Sequence, residues 1–335
     1  MCLVALAACL AAGRDPPQEA VDAAVRRGVS WLRREQKGGG VFGAGPGETA
    51  LALLALRHSG VPADDKACRR AAKYLEHSLP DGTVYGAALG LLALLEQDLS
   101  AHRAKIEKLV GQLAKGQCRN GQWSYAYRAS ARKKAGDNSN TQIAILALGA
   151  ARVRRIAVPA ECFDRLLGYL RQTQNEDGGF GYAHNQRVRS YGSMTAGGAM
   201  GLALCAAAGK LGRPLPETGR ALAWLGRGFD PASNRGAAAA FGKKKGKRSD
   251  SFWRHYWLWS VERAGAACGV RRFGGHDWYA AGARYLVEKQ RDDGSWRDPE
   301  RSLLATAFAL LFFGRSTRAV LTPRPGDVTL TPGGR

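Results

Sequence analysis

Carboxylates are the scarce charge in this chain. Its 335 residues carry 28 Asp and Glu against 50 Lys and Arg, a formal net charge of +22. A surplus of that sign favours anionic partners. The basic residues are nevertheless scattered, apart from the run Lys243–Arg248 in a Gly/Ala-rich stretch that reads as a loop insertion. No recognisable nucleic-acid module accompanies that run, so no specific nucleic-acid partner is implied. Long apolar runs are also lacking, and none reaches the ~18 residues that a membrane span requires. Cysteine is sparse and dispersed, at positions 2, 9, 68, 118, 162, 205 and 268. There is no Cys-x-x-Cys and no local Cys/His cluster, which argues against a locally spaced zinc site and a dense disulfide framework. Most of these thiols read as small buried apolar residues. No metal and no cofactor is implied. With 45% hydrophobic residues the chain has the composition of a folded protein, and its length supports a sizeable core.

The first thirteen residues, MCLVALAACLAAG, form an apolar run of signal-peptide length followed by a polar break. Leu6–Cys9 resembles a bacterial lipobox. Residues 1–13 are therefore expected to be a signal or lipoprotein-type segment, and the protein to be exported, periplasmic or a membrane-anchored lipoprotein; a simple hydrophobic N-terminal extension on a cytoplasmic protein is the alternative. Lipidation and the basic run are the two routes by which it would meet a membrane surface. From Arg315 onward the chain reads as a flexible Pro/Gly-rich tail.

Between these ends the chain repeats. An aromatic–Leu–x–x–x–Gln pattern occurs at Trp31–Gln36, Tyr169–Gln174 and Tyr285–Gln290, with looser copies at Tyr74–Leu79, Gln112–Gln117 and Trp224–Phe229. The copies are unevenly spaced, which indicates insertions between equivalent units. Each starts from an amphipathic helical segment, turns through glycine, and leads into a segment apolar on nearly every face. A helix of the second kind has to be buried on all sides. Each unit is thus an outer helix, a turn and an inner helix, and such units are stable only when neighbours stack. Uniformly apolar inner helices favour a closed ring over an open solenoid. Gly38–Gly40, Gly82, Gly121, Gly178 and Gly294 suit the positive φ of a helix-ending turn. Phe42, Tyr85, Trp123, Phe180 and Trp296 follow as covers for the turns, and the Gln amides can cap free backbone groups.

At these residues, from about Trp31 to Gly314, the chain resembles the QW-type repeat proteins of the terpenoid cyclase and protein prenyltransferase superfamily, labelled prenyltransferase/squalene-oxidase repeat proteins. The stretches GDNSNTQIAILAL, SYGSMTAGG and GGHDWYAAGARYLVEKQRDDGSW carry the closest likeness. The resemblance implies an all-α fold, an (α/α)6 toroid over residues 14–314 with inner apolar helices surrounded by outer amphipathic ones. It also implies a central cavity suited to an isoprenoid or other lipid-like ligand. The superfamily's catalytic signatures do not transfer: the sequence has no Asp-x-Asp-Asp acid, no Asp-x-Cys zinc ligand pair and no Gly-Cys-Gly-Glu-Gln thioester motif. A non-catalytic exported binding or scaffold protein on the same ring is therefore the alternative to an enzyme, with a polysaccharide-active ring third.

The polar residues at the starts of the inner helices are the site candidates. Asp137, Asn138, Asn140 and Gln142 open the third inner helix, where one cap needs only one such residue. Arg189, Tyr191 and Ser193 open the fourth; Ser193 alone would suffice as a cap. Asp250, Trp253, Arg254, His255 and Tyr256 open the fifth. There Arg254 and His255 need partners, since unpaired buried charge is costly, and Asp137 or Asp250 would supply a carboxylate. Asp137, Arg254 and His255 are accordingly the catalytic candidates, with His255 as general base. Asn138, Asn140, Gln142, Arg189, Tyr191, Ser193, Asp250, Trp253 and Tyr256 are the ligand-binding candidates. His276 and Asp277 open an outer helix at the opposite end, where capping is expected.

Overall fold

The structure is a computed structural model that describes residues 16–127, 135–183, 189–240, 249–297 and 301–322. The run Lys243–Arg248 and residues 1–13 lie outside them. In chain order the helices are α1 (Gln18–Arg34), α2 (Pro46–His58), α3 (Lys66–Ser78), α4 (Val84–Asp98), α5 (Arg103–Lys115), α6 (Asn138–Val153) and α7 (Glu161–Thr173). They continue with α8 (Gly192–Ala208), α9 (Pro216–Gly226), α10 (Ala237–Ala240), α11 (Arg254–Ala267), α12 (Trp278–Lys289), α13 (Ser302–Phe313) and α14 (Ser316–Val320). A two-residue hairpin, β1 (Arg272–Phe273) and β2 (His276–Asp277), precedes α12.

Six of these helices, α2, α4, α6, α8, α11 and α13, are inner, and each packs on the next. The last, α13, packs on the first, α2, so the circuit closes. The outer helices α1, α3, α5, α7, α9 and α12 lie against the inner ones and bury only one face, as α3 does with Ala67, Cys68, Ala71, Ala72 and Leu75. In α4 every residue from Gly86 to Gln97 is buried. This is the expected all-α toroid. The driving force is the apolar surface of the inner helices, where each fully enclosed Leu contributes about 1.5–3 kcal/mol.

The turns act as staples between units. Gln36 Nε2 donates to the carbonyls of Gly40 (3.3 Å) in its own turn and of Ala67 (2.8 Å) in the next outer helix. Gln117 bridges Gly121 (2.8 Å) and Cys162 (2.9 Å) in the same way, and Gln174 bridges Gly178 (2.9 Å) and Glu217 (2.8 Å). Gln290 bridges Gly294 (2.9 Å) and Ala24 (2.8 Å), which joins the sixth unit to the first. The close backbone approach explains the turn glycines. Gly121 has φ +96°, and a Cβ there would stand 2.4 Å from the Arg165 carbonyl; Gly294 has φ +90°, with the Arg27 carbonyl at 2.6 Å. In the second unit, where Leu79 replaces Gln, the Lys105 ammonium of α5 donates to the carbonyls of Glu76 and Leu79 instead.

Phe42, Trp123, Phe180 and Trp296 are fully buried over their turns. Their backbone N–H groups each donate to a threonine in the first turns of an inner helix: Thr49 (2.9 Å), Thr141, Thr195 and Thr306 (each 3.0 Å). Tyr85 departs from this set, since its ring faces the centre of the toroid rather than the turn. Of the cysteines in the described residues, Cys68, Cys118, Cys162 and Cys205 are buried, as expected of apolar fillers. Burial pushes the Cys68 thiol up to about 11 and that of Cys205 to about 12. The described residues of the stretch read as a tail from Arg315 include a helix. Ser316–Val320 form α14, and Thr317 donates through its N–H and hydroxyl to Glu262 (3.0 and 2.7 Å), fixing it against α11.

Length variation falls on one face. The connections from inner to outer helices are short, whereas the outer-to-inner connections 116–137, 174–191 and 227–253 are the longest in the ring. They lead into the N-termini of α6, α8 and α11. Among the described residues, no helix is long and apolar enough to cross a membrane.

Candidate functional site

The inner helices run parallel and leave a cavity of about 450 Å³ along the ring axis. Every inner helix contributes to its wall: Leu51 from α2, Leu89 from α4, Ser139 from α6, Met194 from α8, Trp259 from α11 and Phe308 from α13. That volume lies within the range of small-molecule sites. The walls are mainly aliphatic and aromatic, and Trp259 stacks on Phe308 with centroids 5.2 Å apart.

Polarity comes mostly from phenols. Tyr85, Tyr125, Tyr182, Tyr191 and Tyr256 all line the cavity. The hydroxyls of Tyr125 and Tyr182 are paired at 2.8 Å. Burial pushes the phenols of Tyr85, Tyr182, Tyr191 and Tyr256 well above or above their ordinary value. They are therefore neutral hydrogen-bond donors near pH 7. Trp253 caps the start of α11 in the left-handed region, at φ +55° and ψ +39°. A bulky residue there is an outlier of the kind that clusters at functional sites. Its ring meets Phe252 (5.7 Å) and Tyr256 (6.3 Å) edge to face.

The candidates from sequence separate into two groups. Tyr191, Ser193, Trp253 and Tyr256 face the cavity together. The others are placed elsewhere. Asp137 is the N-cap of α6: its Oδ1 accepts from the N–H groups of Ser139 (3.0 Å) and Asn140 (2.9 Å) and from the Ser139 hydroxyl (2.7 Å). Its Oδ2 accepts from Asn140 Nδ2 (2.9 Å), so its own helix uses both oxygens. Asn138 points outward, accepting from Gln122 (2.9 Å) and Tyr169 (3.0 Å) and donating to the Gly181 carbonyl (2.8 Å). Gln142 accepts from Arg263 at 2.7 Å. Asp250 Oδ1 accepts from the N–H of Ala238 at 2.8 Å. Arg254 turns away from the axis, donating to the Ala232 carbonyl (3.0 Å) and the Tyr285 hydroxyl of α12. Neither Asp137 nor Asp250 is its partner. Arg189 is exposed, in a separate surface depression beside Asp177 and Arg235. His255 is buried but is not part of the cavity wall. The three catalytic candidates therefore do not converge on one pocket. Asp277 caps α12 as expected, accepting from Tyr279 (3.1 Å) and Ala280 (3.0 Å).

Sequence reasoning missed Tyr85, Tyr125, Tyr182 and Ser139. A usable signal existed: Tyr125 and Tyr182 each stand two residues after the turn aromatics Trp123 and Phe180. Among the described residues, Glu48 is the one carboxylate in the wall, and it is tied to Arg301 and to the N–H of Ala44 (3.1 Å). The run Asp137–Asn138–Ser139–Asn140 comes nearest in form to Asp-x-Asp-Asp at the wall. It keeps the first aspartate and has serine and asparagine in the last two places. Two facing carboxylates, as glycoside hydrolysis would require, are not present among the described wall residues.

No protein-family model and no curated protein sequence matches the chain. Solved structures do. The type II terpene cyclase MstE from Scytonema, in complex with geranylgeranyl dihydroxybenzoate, aligns over 89% of this chain and 98% of its own, with 16% identity and a TM-score of 0.59. The same enzyme without ligand aligns over 91% and 99%, with 16% identity and a TM-score of 0.57. An α-1,6-mannanase from Salegentibacter sp. aligns over 90% and 99%, with 11% identity and a TM-score of 0.58. What the chain shares with enzymes of such different chemistry is the architecture: it is an α/α toroid.

Proposed function

We propose that this toroid binds an isoprenoid-like or other mainly apolar small molecule in its axial cavity, and that it acts as a binding protein rather than as a cyclase. One observation carries the reading. Five of the six inner helices contribute apolar or aromatic wall and α6 contributes Ser139, with neutral phenols as the main polar groups and no carboxylate aimed freely inward among the described residues. Such a wall desolvates an apolar ligand and orients it by hydrogen bonds. Protonating an alkene takes a strong, unencumbered acid, and Asp137 is committed to its helix. Extraction of the purified protein followed by mass spectrometry tests this, together with titration of a neutral apolar probe. Leu89→Trp should fill the cavity and weaken binding at least tenfold without lowering the melting temperature. A protein with no extractable molecule and no probe binding, or a Leu89→Trp variant that binds as before, would sink the reading.

A second reading is cyclase-type catalysis. The likeness to a terpene cyclase crystallised with a geranylgeranyl substrate favours it, as do aromatic faces able to stabilise a cation. Incubation with geranylgeranyl dihydroxybenzoate decides it, since a cyclised product would show catalysis and recovery of unchanged substrate would not. Export with membrane anchoring through Cys9 is part of the proposed role. Cell fractionation with a Cys9→Ala variant tests it, and wild-type protein confined to the soluble fraction would reject it.

A further inference from the structure

Arg263 is fully buried in the middle of α11, in a helix otherwise suited to complete burial. A helical side chain leans toward its N-terminus, which carries the guanidinium up behind the cavity wall. It lies 3.9 Å from the ring centre of Trp259 and 5.3 Å from that of Tyr256, both wall residues. Nη2 donates to Gln142 Oε1 and Ser260 Oγ, each at 2.7 Å. Within 3.5 Å, Nε and Nη1 have no hydrogen-bond partner and neither has the hydroxyl of Tyr256, which stands near enough to the guanidinium and to the Tyr85 phenol to interact weakly with both. Glu262, the adjacent acid, accepts from Thr317 and acts on the guanidinium through its charge without a hydrogen bond to it. No described carboxylate forms an ion pair with Arg263, although a buried charge without a counter-charge costs several kcal/mol. Two rings and two neutral acceptors offset only part of that.

We propose that the inner end of the cavity receives one anionic group, a carboxylate carried on an apolar body, held by the Tyr256 hydroxyl and the Arg263 guanidinium. This rests on the cavity-binding reading above and adds the ligand's chemical class to it. The carboxylate accepts from the open Tyr256 O–H and from the open N–H groups of Arg263, and supplies the missing counter-charge. The choice of a monoanion follows from the count of cations. No Lys or Arg lines the wall among the described residues, so the single guanidinium behind it would leave the further charge of a diphosphate unmatched.

The experiment is calorimetric titration of the full chain at pH 8 with decanoate, 1-decanol and decyl phosphate, in wild type and in Arg263→Met and Tyr256→Phe. Decanoate should bind wild type at least about tenfold more tightly than 1-decanol, as one charge-assisted hydrogen bond allows. Arg263→Met should abolish that preference while leaving 1-decanol within about threefold. Tyr256→Phe should weaken decanoate alone, and it carries the test if Arg263→Met fails to fold. Equal affinities in wild type, a preference that survives Arg263→Met, or tighter binding of decyl phosphate would each overturn the assignment. Binding of 1-decanol without preference refutes this inference and leaves the cavity reading standing, whereas binding of no amphiphile refutes both.

Discussion

Replacing Gln290 by Leu tests whether the ring is closed by the same chemistry that joins its units. The side chain donates to the Gly294 and Ala24 carbonyls and accepts from Arg27. Each donated bond contributes about 0.5–1.5 kcal/mol net, and part-buried carbonyls left without a donor add to the loss. The expected destabilisation is about 2–3 kcal/mol. At the size of this chain that corresponds to a fall of roughly 3–4 °C in melting temperature. Gln36→Leu supplies the internal standard, because Gln36 makes the equivalent pair of bonds to Gly40 and Ala67. Both variants should be measured by calorimetry and urea unfolding, with hydrogen exchange of α1 as a local readout. Equal costs, with faster exchange in α1 for Gln290→Leu, are expected. If Gln36→Leu costs 2–3 kcal/mol as estimated while Gln290→Leu is silent, the last unit is not fastened to the first and the closed-ring argument is wrong.

The remaining predictions concern the staples and one acid. Gly121→Ala, at φ +96° and facing the Arg165 carbonyl, should cost at least about 2 kcal/mol; Gly111→Ala, in α5 with nothing near its Cβ, should stabilise by about 0.5–1 kcal/mol. Thermal unfolding reads both, and like signs would contradict the turn argument. Thr195→Val leaves the buried Phe180 N–H without its acceptor and should cost about 1–3 kcal/mol by urea unfolding. Asp177 is subject to burial, which raises its carboxyl pKa, but hydrogen bonds from Ser190, Gly179 and Trp224 and the nearby Arg227 hold it below the usual range. Its contribution to stability is thus present above about pH 4 and lost as pH falls through the lower folded value. The melting temperatures of wild type and Asp177→Asn should differ at pH 6 and converge by about pH 2; a gap independent of pH would count against the hydrogen-bond account.

How much of this is legible in the chain depends on whether a residue acts locally. The Gln–Gly–aromatic units can be read because turn chemistry is short-range, and the inner helices because apolar residues on every face leave no surface for solvent. The partner of each Gln amide is another matter. Ala24 lies far from Gln290 in sequence, and only the closed circuit brings them together. The threonines Thr49, Thr141, Thr195 and Thr306 hold the turn aromatics in place, a role that needs the neighbouring backbone to be seen. Polar density misleads at Asp137–Gln142 for a related reason: the helix start consumes Asp137, and the outer helices take Asn138. Tyrosines divide between packing and cavity by which side of a loop faces the axis, and periodicity does not encode that. Arg263 is visible as a charge in an apolar helix, but its open N–H groups are not.

The concentration of long connections at one end of the toroid gives its two ends different freedoms. Past the staples at Gln117–Trp123 and Gln174–Phe180, the connections into α6 and α8, like the one into α11, can change in length and composition without touching the packing between helices. The opposite end, tied by brief links, has no such slack. A lineage built on this framework could therefore alter what enters the barrel by editing loop tips alone. Grafted segments or fused domains would be tolerated there, while the same insertion at the other end would pry neighbouring hairpins apart.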